Sequence, residues 1–240
     1  MEEQFIRTRL LLGDEGLERL KNARVAVFGI GGVGGFVVEA LVRSGIGAID
    51  LIDSDTVDIS NLNRQIIATH SSLGRLKTEV MRERIADINP ECKVVVHNCF
   101  YLPKTENQFD FTEYDYVVDA IDTVTGKISL VMRAQESGTP IMCSMGAGNK
   151  LNPVQFEIAD IYQTSVCPLA RVMRQELKKR GVKKLKVVYS KERPVEHKFK
   201  LEKKGEEASS TKPTPGSIAF TPSVAGLLIA SEVIKDLINM

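Results

Sequence analysis

Six residues, Gly29-Ile-Gly31-Gly32-Val-Gly34, constrain this chain more than any others. They follow an apolar, β-branched run that begins at Arg24 and precede helix-spaced apolar residues from Phe36 to Ser44. A buried strand, a glycine turn and a helix in that order form the βα unit of a parallel sheet. Gly29 permits the tight turn, Gly31 lets backbone approach a phosphate, and Gly34 allows the helix to pack closely on the strand. The helix N-terminus then offers unpaired N–H groups and partial positive charge to an anion. Asp53 ends the next apolar run, Ala48 to Asp53, where a carboxylate can accept from ribose hydroxyls. The motif establishes a nucleotide and leaves NAD, FAD and ATP open.

The rest of the chain repeats the alternation. A charged amphipathic helix is expected from Gly74 to Asn89, strands at Lys93 to His97 and Tyr116 to Ala120, a helix from Thr125 to Ser137, and a strand at Ile141 to Met145. The fold class is therefore α/β: a doubly wound, Rossmann-like, mainly parallel sheet. Residues 1–148 read as the nucleotide-binding core and 149–240 as a smaller C-terminal α/β extension of the same fold. The extension is expected to hold a strand from Val154 to Ala159, a helix from Pro168 to Arg180, a strand from Leu185 to Tyr189 and a core-facing helix from Pro222 to Ile238. A stretch near 191–216, rich in Lys, Glu, Ser, Pro and Gly, reads as a mobile basic loop.

No apolar run reaches the roughly 18 residues of a membrane span, and the acidic start Met1-Glu2-Glu3 lacks the order of a secretory signal. A cytoplasmic protein is expected. Net charge is only +1, yet Arg171 to Lys204 holds 14 Lys and Arg against 4 Asp and Glu. Cys92, Cys99, Cys143 and Cys167 form no C-x-x-C pair, which argues against a zinc ribbon. Cys143 lies in an apolar run and is expected to be buried. Cys167, before Pro168, is the better candidate for a reactive thiol.

Charge beyond the glycine loop selects among the nucleotides. The loop after the second strand reads Asp53-Ser-Asp55-Thr-Val-Asp58-Ile-Ser-Asn61-Leu-Asn63-Arg64-Gln65. Lys77 falls in the first turn of the next helix, and Asp122 follows the fourth strand in Asp119-Ala-Ile-Asp122. In an open sheet these strand ends share one crevice. A bridged pyrophosphate is served by backbone N–H groups, whereas a triphosphate wants basic side chains and Mg²⁺ held by a carboxylate. The set favours ATP with Mg²⁺. Plainer readings stand beside it: Arg64 as a surface charge, Lys77 as a solvated helix residue, Asp122 as a helix cap.

Gly29 to Gly34, Asp53, Ser60-Asn-Leu-Asn-Arg-Gln65, Lys77 and Ala120-Ile-Asp122 together resemble the adenylation core of the ThiF/MoeB superfamily, the ubiquitin-activating-enzyme-like proteins. The resemblance implies that Asp53 binds ribose, that Asn61, Arg64 and Lys77 hold phosphates, and that Asp122 coordinates Mg²⁺. It also implies that Arg7, in Gln4-Phe-Ile-Arg7, reaches across a homodimer to the partner's ATP. Gly146-Ala-Gly-Asn-Lys150, Asp160-Ile161, Cys167-Pro-Leu-Ala-Arg171, Val187-Val-Tyr-Ser190, Gly216-Ser-Ile-Ala-Phe220 and the closing helix extend the similarity to the tRNA threonylcarbamoyladenosine dehydratase (TcdA/CsdL) group. Some relatives in that group carry Asp where this chain has Cys167. The activity implied is ATP-dependent cyclization of threonylcarbamoyladenosine in tRNA through an acyl adenylate, with a sulfurtransferase or sulfur acceptor as a further possible partner. The basic stretch, Lys183, Lys184 and Lys186 included, is where tRNA phosphates would sit. The main rival is adenylation of the C-terminus of a ubiquitin-like sulfur carrier. Members with that role usually carry the paired C-x-x-C that this chain lacks.

Overall fold

The computed structural model describes residues 3–199 and 214–239. Among them, seven strands form one sheet: β1 Arg24–Phe28, β2 Ala48–Ile52, β3 Lys93–His97, β4 Tyr116–Asp119, β5 Ile141–Ser144, β6 Phe156–Asp160 and β7 Lys186–Ser190. Their spatial order is β3-β2-β1-β4-β5-β7-β6. Every neighbouring pair is parallel except β6 on β7. The helices are α1 Ile6–Asn22, α2 Gly34–Arg43, α3 Lys77–Ile88, α4 Val124–Ser137, α5 Pro168–Lys179 and α6 Phe220–Leu237.

The central strands are apolar on both sides because both faces are covered. In β1, Val25 and Val27 pack with α2 and α6 residues such as Val37, Leu41 and Ile229. Ala26 and Phe28 face the other way, into a cluster with Tyr101, Phe109, Phe111 and Leu130. A third cluster joins α5 to β5 and β7 through Met173, Leu177, Cys143 and Val187. On α5 the buried positions Ala170, Met173 and Leu177 recur at helical spacing, and Pro168 occupies the first turn, where its missing N–H costs no bond.

The expected elements are present, with shifted ends. α3 begins at Lys77 rather than 74, because Leu76 is still extended and bridges Thr56 while Val57 N donates to Arg75 O. β6 begins at Phe156, since the Asn152 side chain accepts from Val154 N and caps a short 3-10 turn at Pro153–Gln155. α6 starts two residues before Pro222, which fits within the first helical turn. α1 has no counterpart in the expectations. Gly13, at φ 72° and ψ 178°, kinks it, and glycines with scattered charges hide its period.

The strand order reverses between β1 and β4, with β2 and β3 to one side and β5 to the other. In an open sheet the crevice outside the carboxyl ends of the strands at that point is where a ligand binds. The expected loop near 191–216 falls largely on residues 200–213, outside the described residues. Its described flanks converge on one residue, Asn149. Asn149 Oδ1 accepts from Gly216 N at 2.6 Å and lies 2.8 Å from His197 Nε2, while Asn149 O accepts from Val195 N at 2.8 Å.

Candidate active site

At the switch point lies a cavity of about 390 Å³. Gly29, Gly31 and Gly32 from the loop after β1 line it, with Asp53 and Asp55 from the loop after β2, and Asn61, Arg64 and Gln65 beyond them. Lys77 at the start of α3 and Ala120 to Thr123 after β4 complete the wall. All expected site residues except Gly34 and Arg7 therefore meet in one cavity. Gly34 works from behind it: a Cβ there would stand 1.8 Å from Gly29 O, so only glycine lets α2 sit this close to the turn.

The loop is prepared for an anion. Gly29 takes φ 90°, and Asp53 Oδ2 accepts from Ile30 N at 2.7 Å while its Oδ1 accepts from Asp55 N at 2.8 Å. Among the described residues, the N–H groups of Gly31, Gly32 and Val33 have no acceptor. Burial pushes the Asp53 carboxyl above the usual carboxylate pKa, while the Lys77 charge pulls the other way. Two polar atoms in the wall, Gln65 Oε1 and Thr123 Oγ1, are buried without a hydrogen-bond partner. An orphaned acceptor and an orphaned hydroxyl in one cavity are what a polar ligand would satisfy.

Lys77 is not a solvated helix residue. Its side chain is 7% exposed, and Nζ donates to Asp55 Oδ2 at 2.7 Å, an aspartate that is itself 61% exposed. Arg64 lies half-buried, its Nη1 donating to Ser60 O at 2.9 Å and Asn63 Oδ1 at 3.1 Å. Asn61 has a local task, since its Oδ1 accepts from Asp58 N at 3.2 Å in a capping box. Asp122 is exposed at the cavity wall. No group of three or more His, Cys, Asp or Glu forms a metal cage among the described residues. One open carboxylate fits Mg²⁺, which is typically held by one or two carboxylates plus substrate phosphates.

Other residues here were not anticipated. Cys99, Phe100 and Tyr101 after β3, and Pro215, Ser217 and Pro222 near α6, line the same cavity. Asn63 Nδ2 donates to Ser217 O at 2.9 Å and ties the nucleotide loop to that segment. Behind Asp122, Lys127 forms a sealed ion pair with Asp119, both side chains 0% exposed. The available signal was a lysine on the buried stripe of α4, spaced with Leu130, Val131 and Ala134. Cys143 and Cys167 are both buried. Burial and the neighbouring Asp119 charge hold the Cys143 thiol far above its ordinary pKa, so it is no nucleophile.

Arg7 is exposed on α1, away from this cavity. Its neighbours Phe5 and Arg9 line a different cleft, of about 740 Å³, with Ala23, Ala48 and Lys93 at the amino ends of the strands. The basic stretch also divides. Lys186, within β7, donates to both Asp236 oxygens at 2.7 Å and to Glu232 at 3.4 Å, so it braces α6 and is no phosphate ligand. Arg174 donates to Thr164, Lys191 pairs with Glu157, and Lys179 and Arg180 pair with Glu176. Arg171, Lys183 and Lys184 make no ion pair with any described residue. Lys200, Lys203 and Lys204 lie outside the described residues.

Comparison with known proteins agrees with this geometry. The chain is 47% identical over 244 residues to a tRNA threonylcarbamoyladenosine dehydratase of Bacillus subtilis, covering 100% of this chain and 96% of the relative. It is 43% identical over 176 residues to the Escherichia coli protein of the same name, covering 73% of this chain and 66% of that one. The crystal structure of E. coli TcdA in complex with ATP superposes with a TM-score of 0.88 at 34% identity, over 99% of this chain and 95% of that one. The ThiF family model matches residues 4–240. With its glycine loop, Asp53 and charged rim in one cavity, and with that match over nearly its whole length, the chain belongs to the ThiF family.

Proposed function

We propose that this protein catalyses the ATP-dependent dehydration of threonylcarbamoyladenosine in tRNA to its cyclic form. The observation that carries the reading is the 47% identity to a dehydratase of that name over the whole chain and 96% of the relative. A protein that only adenylates a sulfur carrier is disfavoured by the absence of any C-x-x-C pair.

The chemistry suits a site without a nucleophile. A carboxylate oxygen is a poor leaving group near neutral pH. Attack by the substrate carboxylate on the α-phosphorus of ATP gives an acyl adenylate and releases pyrophosphate. The ureido nitrogen of the same substrate then attacks the activated carbonyl carbon, losing its proton, and AMP departs. Because nucleophile and electrophile belong to one molecule, proximity supplies much of the rate. Cys92, Cys143 and Cys167 are buried, and Cys99, the cysteine that lines the cavity, is half-buried with its thiol pKa raised by burial, which accords with this.

In this reading Asp53 accepts from ribose hydroxyls, and the free N–H groups of Gly31 and Gly32 meet phosphate oxygens. Asn61, Arg64, Gln65 and Lys77 surround the phosphate chain, with Lys77 exchanging Asp55 for phosphate. Asp122 would hold Mg²⁺, which when bound neutralises charge on the phosphates. The protein acts as a homodimer in which Arg7 serves the partner's site. Support comes from its distance along the fold from its own cavity and from the exposed Ile6, Leu10 (82%) and Leu11 (81%) beside it. The tRNA lies along Arg171, Lys183 and Lys184. No described helix is long and apolar enough to cross a membrane. A cytoplasmic location fits a tRNA substrate.

The test is incubation with ATP, Mg²⁺ and tRNA carrying threonylcarbamoyladenosine, followed by mass analysis of the nucleosides. Loss of one water from the modified nucleoside, matched by AMP, is expected. ATP–pyrophosphate exchange that depends on a Gly-Gly-terminated carrier protein, with no change in the nucleoside, would replace this reading.

A further inference from the structure

Two turns wall the cavity in which the proposed adenylation would occur. One is the Ala120 to Thr123 turn, which carries Asp122. The other is the turn after β5, where Ala147 and Gly148 line the same cavity. Neither wall is part of the sheet. Each hangs from the last residue of a strand, Asp119 of β4 or Ser144 of β5.

Lys127 joins them. From the first turn of α4 its Nζ donates to Asp119 Oδ1 and Oδ2, both at 3.0 Å, and to Ser144 O at 2.7 Å. Those contacts use the donors of one ammonium group. Asp119 Oδ1 in turn accepts from Ile121 N at 3.2 Å, inside the Asp122 turn. The same turn is pressed from below, where a Cβ on Gly29 would meet Ala120 O at 2.8 Å and one on Gly126 would meet Ile121 at 2.7 Å. A one-residue brace thus links from behind the two strand ends that carry these walls, without itself lining the cavity.

Stability alone does not account for this pair. Removing two charges from water costs several kcal/mol per ion, and well-packed apolar residues of similar volume commonly do as well or better. An ion pair does supply fixed directions and distances, which an apolar contact does not. We propose that Lys127 is a positioning residue for the adenylation step, setting with Asp119 the separation between the Asp122 turn and the Ala147–Gly148 turn. The claim rests on the function proposed above for its chemistry, but not for its structural readouts.

The decisive variant replaces the charged pair by an apolar one, Asp119→Leu with Lys127→Met. A companion, Asp119→Asn with Lys127→Met, keeps an acceptor for Ile121 N–H but cuts the link to Ser144. Three quantities are measured on the full chain: amide exchange of residues 120–123 and 145–148 without nucleotide, ATP affinity with and without Mg²⁺, and AMP formation with modified tRNA. The apolar variant should fold with near-native Tm and bind ATP without Mg²⁺ within about twofold of wild type, because the glycine loop and Asp53 are untouched. Both turns should lose exchange protection, and the tightening of ATP binding by Mg²⁺ should weaken about 10-fold, as when a metal ligand loses its support. AMP formation should fall about 100-fold in kcat, the scale of a misplacement near 1 Å. The asparagine variant should restore protection at 120–123 but not at 145–148.

Wild-type exchange, Mg²⁺ response and kcat in a folded apolar variant would overturn the proposal. So would failure of both double variants to fold, since the pair would then be a requirement of the fold. If wild-type protein itself makes no AMP with modified tRNA, the functional reading fails. The exchange and Mg²⁺–ATP measurements still decide the role of Lys127.

Discussion

Two lysine–aspartate pairs, one in the cavity wall and one behind it, differ in how far they are buried. Lys77 and Asp55 meet at 2.7 Å with the lysine nearly buried and the aspartate 61% exposed. Lys127 and Asp119 meet at 3.0 Å with neither exposed. The first pair can open, because water solvates Asp55 when Lys77 turns to another anion. The second cannot open without stranding a charge in a region water does not reach. In the function proposed above, the open pair would park a cation for a ligand and the sealed pair would fix backbone. Residue type is the same in the two cases although the separations along the chain are 22 and 8 residues, and it is burial that distinguishes the pairs.

The largest effects should come from the open rim. Lys77→Ala and Asp122→Ala should each lower AMP formation by about 10²–10³-fold with Tm little changed, since each removes charge stabilisation from a preorganised site. A large fall in Tm for Lys77→Ala, with kcat spared, would break the comparison by making Lys77 a scaffold residue. Next is complementation between subunits. Arg7→Ala and Asp122→Ala chains, each nearly inactive alone, should regain activity when mixed, because one of the two sites in a heterodimer is then intact. No recovery, with subunit exchange verified by mass, would mean that Arg7 acts in its own chain or not at all.

The same open-versus-committed distinction runs through the basic stretch. Lys183→Glu with Lys184→Glu should weaken tRNA binding and lower the salt slope by about one per lost phosphate contact. ATP affinity should be unchanged. Lys186→Glu should instead place a third carboxylate against Asp236 and Glu232 and cost about 1–3 kcal/mol of stability. Titration with tRNA at two salt concentrations, beside a thermal melt, separates the two. An unchanged slope in the Lys183 and Lys184 variant would remove those residues from the tRNA surface. The smallest effect belongs to Asp55→Asn. An exposed partner contributes less than about 1 kcal/mol, so a stability loss well beyond that would show that the pair is not freely opened.

The sequence by itself determined the architecture and the place of the site. The glycine turn between an apolar run and a helix admits few folds, and Asp53, Arg64, Lys77 and Asp122 each follow a strand end, so a parallel sheet must gather them. Local chemistry also set Pro168 at a helix start and the buried face of α5. Tertiary structure decided what spacing along a chain cannot carry. It showed Lys77 buried and Lys186 spent on α6, and it sealed Lys127 against Asp119, because burial depends on what other segments lay over a residue. It brought Tyr101, Thr123 and Pro222 to one cavity from three segments whose residue types announce nothing. It also set the start of α1 beside the amino ends of the strands, carrying Arg7 away from its own chain's nucleotide loop. Periodicity and motif are properties of neighbours in sequence, whereas desolvation and separation are properties of neighbours in space.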